Sequence, residues 1–131
     1  MNGLRIVLNA SSDGTISMSN NVANANGSDG ISVDTTVGFN LTLTGRSNVT
    51  RNNGGDGVDL AIDSNSGSYD FGTLTDYGNN SMTGNGDVGI RWDNAGDGNP
   101  LSAEYNYWGG ATNYAGSVTA TQWLLSDPNA P

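Results

Sequence analysis

The chain contains no cysteine, no histidine and no lysine, so its only basic residues are four arginines. Without Cys there is no disulfide framework and no thiolate metal site. Without His the Ser-His-Asp and Cys-His nucleophile arrangements and the common zinc sites are closed to it as well. Against the four cations stand 13 acidic residues, for a net charge of −9. Binding nucleic acid or inserting at an anionic membrane would set like charge against like, so neither partner is expected. No apolar run approaches the ~18 residues of a membrane span, and the opening residues lack the basic-then-apolar order of a secretion signal. Apolar residues make up only 34%, against about 45–50% in ordinary globular domains. A chain of 131 residues with that composition fits one domain with a narrow core.

What the chain does have is 20 glycines and many Asn, Ser and Thr, in a pattern that repeats. Asn21 to Gly27 aligns with Asn48 to Gly54 and again with Asn80 to Gly86, at offsets of 27 and 32 residues. Gly30-Ile31-Ser32-Val33, Gly57-Val58-Asp59-Leu60 and Gly89-Ile90-Arg91-Trp92 keep the same register, and Gly3-Leu4-Arg5-Ile6 adds a fourth copy. A third series reads Thr15-Ile16-Ser17, Thr42-Leu43-Thr44 and Thr73-Leu74-Thr75. Apolar and polar residues alternate within these short segments, and Gly and Asn interrupt them too often for helices. Short strands follow, with Leu4, Ile6 and Leu8 facing one way and Arg5 and Val7 the other.

One repeat holds about three short strands and three turns, which is one coil of a parallel β-solenoid stacked at the ~4.8 Å strand spacing. The expected coils span about 3–29, 30–56, 57–88 and 89–106, with a cap over 107–131. Equivalent positions become ladders, and Asn21, Asn48, Asn80 and Asn106 are expected to form an amide ladder with a structural role. The five extra residues of the third coil are assigned to Ser64–Ser68 as a protruding loop.

Glu104-Tyr105-Asn106-Tyr107-Trp108-Gly109-Gly110, together with these repeats, resembles the closing coils of right-handed parallel β-helix proteins. That superfamily includes pectate lyases, polygalacturonases and many bacterial secreted and surface proteins. The resemblance implies an all-β, right-handed parallel β-helix of about four coils, and a secreted or cell-surface location. Trp108 would close the last coil, and the segment from Val118 to Leu125 with Trp123 would continue the cap until Asp127-Pro128 ends it. At the other end the first coil has no cap. That points to the end of a longer solenoid, or to self-association through the bare coil as a homodimer.

The outward rows carry the candidate chemistry. Arg5, Ser32, Asp59 and Arg91 fall in one row, and Val7, Asp34, Ala61 and Asp93 in the next. Asp59 is expected beside Arg91 within ion-pair reach, and Asp34 and Asp93 about 9–10 Å apart, near the upper carboxylate separation of inverting glycosidases. The polygalacturonase resemblance implies acid and base roles for Asp34, Asp59 and Asp93, and the pectate-lyase resemblance a base role for Arg91. The chain lacks the Asn-Thr-Asp, Gly-His-Gly and Arg-Ile-Lys signatures of the former. A charge ladder that stabilises stacked coils is the simpler reading of the same rows.

Three further features suggest ligands. Asp93, Asp97 and Asn99 have the alternation of an acidic calcium loop, although Ala95 stands at a ligand position and no Glu closes the loop. Thr15, Ser17, Thr42, Thr44, Thr73 and Thr75 would make a hydroxyl grid like those of ice-binding solenoids. Among the aromatic residues, Tyr69 and Tyr77 are candidates to stack on sugar rings. The resulting expectation is a structural or adhesive module that touches glycans and uses no cofactor unless calcium. The alternative is a polysaccharide hydrolase or lyase working through the outward carboxylates.

Overall fold

The computed structural model describes residues 1–9, 13–35, 39–110 and 113–130. Among them the protein is all-β, with no helix. The strands are β1 (Leu4–Leu8), β2 (Gly14–Ser19), β3 (Ile31–Thr35), β4 (Asn40–Arg46), β5 (Val49–Arg51) and β6 (Val58–Ile62). They continue with β7 (Ser66–Asp70), β8 (Ser81–Thr83), β9 (Ile90–Asn94), β10 (Leu101–Ser102), β11 (Tyr114–Gly116) and β12 (Val118–Thr119). These form three sheets, ordered β1-β3-β6-β9-β11, β2-β4-β7-β10-β12 and β5-β8. Every pairing is parallel and joins equivalent segments of successive repeats.

The register of the first sheet follows the glycine-led repeat. Arg5 pairs with Ser32, Ser32 with Asp59 and Asp59 with Arg91. The inward side of the same strands places Ile6, Val33, Leu60 and Trp92 in one column. Val33, Leu60 and Trp92 are buried, whereas Ile6 is only half-buried on the edge strand. In the second sheet Ile16, Leu43 and Tyr69 form the matching inward column. Gly45 is required here because a Cβ would lie 2.5 Å from the ring of Phe71, which fills that space and is itself fully buried.

Amides hold the turns. Asn48 Oδ1 accepts from Asn21 Nδ2 at 2.9 Å, Asn80 Oδ1 from Asn48 Nδ2 at 2.9 Å and Asn106 Oδ1 from Asn80 Nδ2 at 2.8 Å. The expected ladder is therefore continuous, and Asn48, Asn80 and Asn106 are fully buried. A second ladder runs through Asn26, Asn53 and Asn85, with Nδ2–Oδ1 distances of 2.9 and 3.0 Å.

Three expectations change. Ser64–Ser68 is not a protruding loop, since Ser66–Asp70 is strand β7 and Ser64 is buried. The extra length lies between Asp70 and Asn80, because Thr44 pairs with Asp70 at an offset of 26 whereas Asn48 bonds Asn80 at 32. Consequently Thr73 and Thr75 leave the hydroxyl grid. Thr42 pairs with Ser68 and Thr44 with Asp70, while the Thr73 hydroxyl accepts from the Asp76 N–H in a local turn that exposes Leu74. Lastly, the stretch assigned to the cap continues the sheets. Tyr114–Gly116 pairs with β9, Val118–Thr119 with β10, and Trp123 bridges to Asn106. Trp108 is buried as expected, against Gly89.

Candidate functional site

The outward rows of the first sheet form a cleft of about 480 Å³ beside the first strand, lined by Arg5, Asp29, Ser32, Asp34 and Asp59 among others. Each carboxylate there has a different environment. Asp34 Oδ2 accepts from Arg5 at 2.7 Å from Nη2 and 3.1 Å from Nε. The Arg5 side chain is 61% exposed, so this is a surface pair worth little on its own. Asp29 Oδ1 accepts from the Asp56 N–H at 2.9 Å, and Asp56 Oδ1 from the Val88 N–H at 3.1 Å. These two carboxylates therefore satisfy backbone donors in the following repeat, a turn-forming role.

Asp59 makes no side-chain hydrogen bond or ion pair with the described residues. Burial, then the carboxylates of Asp29, Asp56 and Asp34, push its pKa up to about 6, with Arg91 opposing. A carboxyl raised in this way and facing a cleft is the kind of group that donates a proton near neutrality.

The expected Asp59–Arg91 ion pair does not form, although the two residues are direct cross-strand neighbours. Arg91 reaches past Asp59 to Asp56, with Nε 2.8 Å from Oδ2, and also bonds Asp87. Hydrogen bonding to Asp56 and the charges of Asp56 and Asp87 raise the Arg91 pKa further. A guanidinium held charged by two carboxylates is unsuited to the role of base. Asp93 pairs with Ala61 on β9, is exposed and does not line the cleft. The structure thus brings Asp34 and Asp59 to one cleft and leaves Asp93 and Arg91 outside it.

The calcium candidates are also separated. Asp97 Oδ1 accepts from Asn94 Nδ2 at 2.6 Å and from the Asn99 N–H at 2.9 Å. Its Oδ2 accepts from Tyr69 Oη and Asn99 Nδ2, both at 3.0 Å. Burial alone would raise the Asp97 pKa, but these donors outweigh it and lower it. Asp93 takes no part in this network, which engages both Asp97 oxygens in a turn. Among the described residues no group of three Asp or Glu side chains converges as a metal site would require.

The two sugar-stacking candidates part company. Tyr69 is 4% exposed, packs on Trp92 with ring centroids 4.6 Å apart and bonds Ser64 and Asp97, so its face is not offered to solvent. Tyr77 is 46% exposed and lies against Tyr105 at a centroid distance of 3.9 Å. It sits on the inserted loop with the exposed Leu74.

Sequence reasoning missed the second amide ladder, although Asn26, Asn53 and Asn85 each precede Gly in the aligned repeat. The turn-forming role of Asp29 and Asp56, by contrast, is legible in the sequence, where each precedes a glycine at the repeat offset. Comparison with family models, with curated proteins and with solved structures returns no match for this chain.

Proposed function

We propose that the three stacks of parallel strands wind as a right-handed parallel β-helix, and that the chain is a structural and adhesive module of a secreted or surface protein. Parallel neighbours one repeat apart support the winding, together with the right-handed crossover that parallel strands favour. The observation that carries the structural role is the pair of asparagine ladders, which commit buried amides to stacking. Membership of the β-helix superfamily and the location rest on the resemblance of the repeats and the Asn106-Tyr107-Trp108-Gly109 segment. Contact with glycans falls to Tyr77, whose ring is presented on the inserted loop and backed by Tyr105. The test is binding of the full chain to an immobilised glycan panel. Tyr77→Ala is expected to abolish binding at an unchanged unfolding midpoint, and equal binding by both proteins, or none by either, overturns the glycan contact.

One observation favours a second reading, the unpaired Asp59 carboxyl held near pH 6 in the same cleft as the Arg5-paired Asp34. Two carboxyl groups with divergent environments are the basis of acid–base glycoside hydrolysis. In this reading protonated Asp59 serves as the acid and Asp34 orients water. Release of reducing ends from a polysaccharide panel, lost in Asp59→Asn with stability retained, would support it. No release from any substrate would reject it.

A further inference from the structure

The third sheet carries a feature that no stacking role requires. Its outward row runs from Val22 to Val49, Ser81 and Tyr107 through parallel bridges. Val22 is 71% exposed, whereas Val49 is 7% and Ser81 0% exposed. The row passes from bare to covered within one repeat, and the segment hydrogen-bonded across the covered part is the tail from Asp127 to Asn129.

Arg51 Nη2 donates to Asp127 Oδ2 at 2.5 Å and to the Asn129 carbonyl at 3.2 Å. Ser81 Oγ donates to the same Asp127 oxygen at 3.1 Å, and Arg51 Nε donates to Ser81 Oγ at 3.2 Å. The other oxygen, Asp127 Oδ1, accepts from the Asn129 N–H at 2.8 Å and shapes the turn. Asn129 Nδ2 donates to the Asn79 carbonyl at 2.7 Å. The Arg51 and Asp127 side chains are 22% and 18% exposed, so this is a partly desolvated, charge-assisted contact. Before this turn the Leu124 N–H donates to the Asn106 carbonyl at 2.9 Å, and Leu125 between the two attachments is 93% exposed.

We propose that the outer face of the third sheet is a peptide-binding groove for an Asp-Pro-Asn turn, with Arg51 and Ser81 reading the carboxylate and the Asn79 carbonyl reading the carboxamide. The chain's own Asp127–Asn129 turn fills the groove as a tethered competitor. The partner is a peptide that presents the same turn, a carboxylate followed two residues later by a carboxamide. A short tether gives the resident turn an effective concentration on the order of mM, so the groove stays closed to free peptide until the resident turn is weakened.

The experiment uses the full chain and a fluorescently labelled peptide of the sequence Leu124 to Pro131, followed by anisotropy. Asp127→Ala removes both the carboxylate and its turn, leaving Arg51, Ser81 and Asn79 in place. This variant is expected to bind the peptide at least about tenfold more tightly than the wild type. Binding should vanish in the Asp127→Ala/Arg51→Ala double variant and with a peptide carrying Asn in place of its Asp. If Asp127→Ala keeps its far-ultraviolet circular dichroism yet binds no peptide, or if the wild type binds equally well, the proposal is overturned. Should Asp127→Ala fail to fold, Asn129→Ala decides. It removes only the bond to the Asn79 carbonyl, so tighter peptide binding than wild type supports the groove and unchanged binding rejects it.

Discussion

Replacing Asn48 by Leu tests whether the amide ladder holds the stack together. The Asn48 carboxamide makes four hydrogen bonds. Its Oδ1 accepts from Asn21 N at 3.1 Å and Asn21 Nδ2 at 2.9 Å, and its Nδ2 donates to the Met18 carbonyl at 3.0 Å and to Asn80 Oδ1 at 2.9 Å. All four disappear in Asn48→Leu, whereas the bond from the Asn48 backbone N–H to Asn80 Oδ1, 2.8 Å, can persist. The two donors of Asn21 belong to a half-buried residue and regain water. The two acceptors served by Nδ2 lie in the interior and do not. At roughly 1–2 kcal/mol for each buried bond lost without replacement, the expected cost is about 2–4 kcal/mol. Asn21→Leu removes donors only from the half-exposed end of the ladder, and its expected cost is about 1 kcal/mol or less. Urea unfolding should therefore show the midpoint of Asn48→Leu displaced by ~1–2 M at an unchanged slope, with Asn21→Leu far closer to wild type. A cost below ~0.5 kcal/mol for Asn48→Leu, or equal costs at the two positions, would refute the view that buried amides carry the stacking.

Two other perturbations separate backbone approach from charge. A Cβ at Gly57 would lie 2.6 Å from the Gly89 carbonyl oxygen and 2.7 Å from both Thr50 Oγ1 and Asn85 Nδ2, whereas one at Gly14 meets only Phe39 Cε2 at 3.5 Å. Thermal or urea unfolding is expected to give a loss of ~2–3 kcal/mol for Gly57→Ala and a much smaller change for Gly14→Ala. Asp59 sets the sign of a pH effect. Its pKa rises from 3.8 to about 6 on folding, so the folded chain binds this proton more tightly than the unfolded one. The associated stability is complete below pH 3.8 and is lost as the pH climbs through about 6. Asp76, lowered by its bond to Arg46, contributes in the opposite sense, and its stability is lost only in acid, as its carboxylate protonates. Urea midpoints at pH 4.5 and pH 7 should show Asp59→Asn flattening the fall in stability between them. An unchanged slope would mean that Asp59 does not titrate in this window.

The parts of the fold that could be read from the sequence are those in which one residue type recurs for one physical reason. Gly30, Gly57 and Gly89 mark a close backbone approach and Asn21, Asn48 and Asn80 an interior amide, so the register of the first sheet and the main ladder follow from spacing alone. Thr73-Leu74-Thr75 misled because three alternating residues do not define a face. Leu43 is buried inside the stack and Leu74 is 59% exposed, although Thr73-Leu74-Thr75 is identical to Thr42-Leu43-Thr44 in sequence. The inward position is held instead by Tyr69, whose ring is therefore in the core and not on a sugar-facing surface. Arg91 misled for a different reason. Cross-strand neighbours fix the position of Cα, but a long guanidinium reaches several residues along the strand and settles where two carboxylates converge. The tail contact had no local signal, since Arg51 and Asp127 are 76 residues apart.

Repeat length varies where the corner can absorb it, and that places the inserted loop. The offset is 27 residues over β6, 26 over β7 up to Asp70 and 32 at Asn80 and β8, so the ladder resumes in register as though nothing had been added. The base of the insertion is tied down. Arg46 Nη2 bonds Asp70 at 2.7 Å and Asp76 at 2.8 Å, and the Thr73 N–H donates to the Asp76 carbonyl at 2.8 Å. A guanidinium shared by two carboxylates of one loop holds its two ends together, with Leu74 and Tyr77 on the exposed span. The ladder fixes where such a loop begins and ends while leaving its contents free. Chemistry that differs from repeat to repeat therefore collects at this corner, where Leu74 and Tyr77 are exposed and the Tyr77 ring lies against Tyr105.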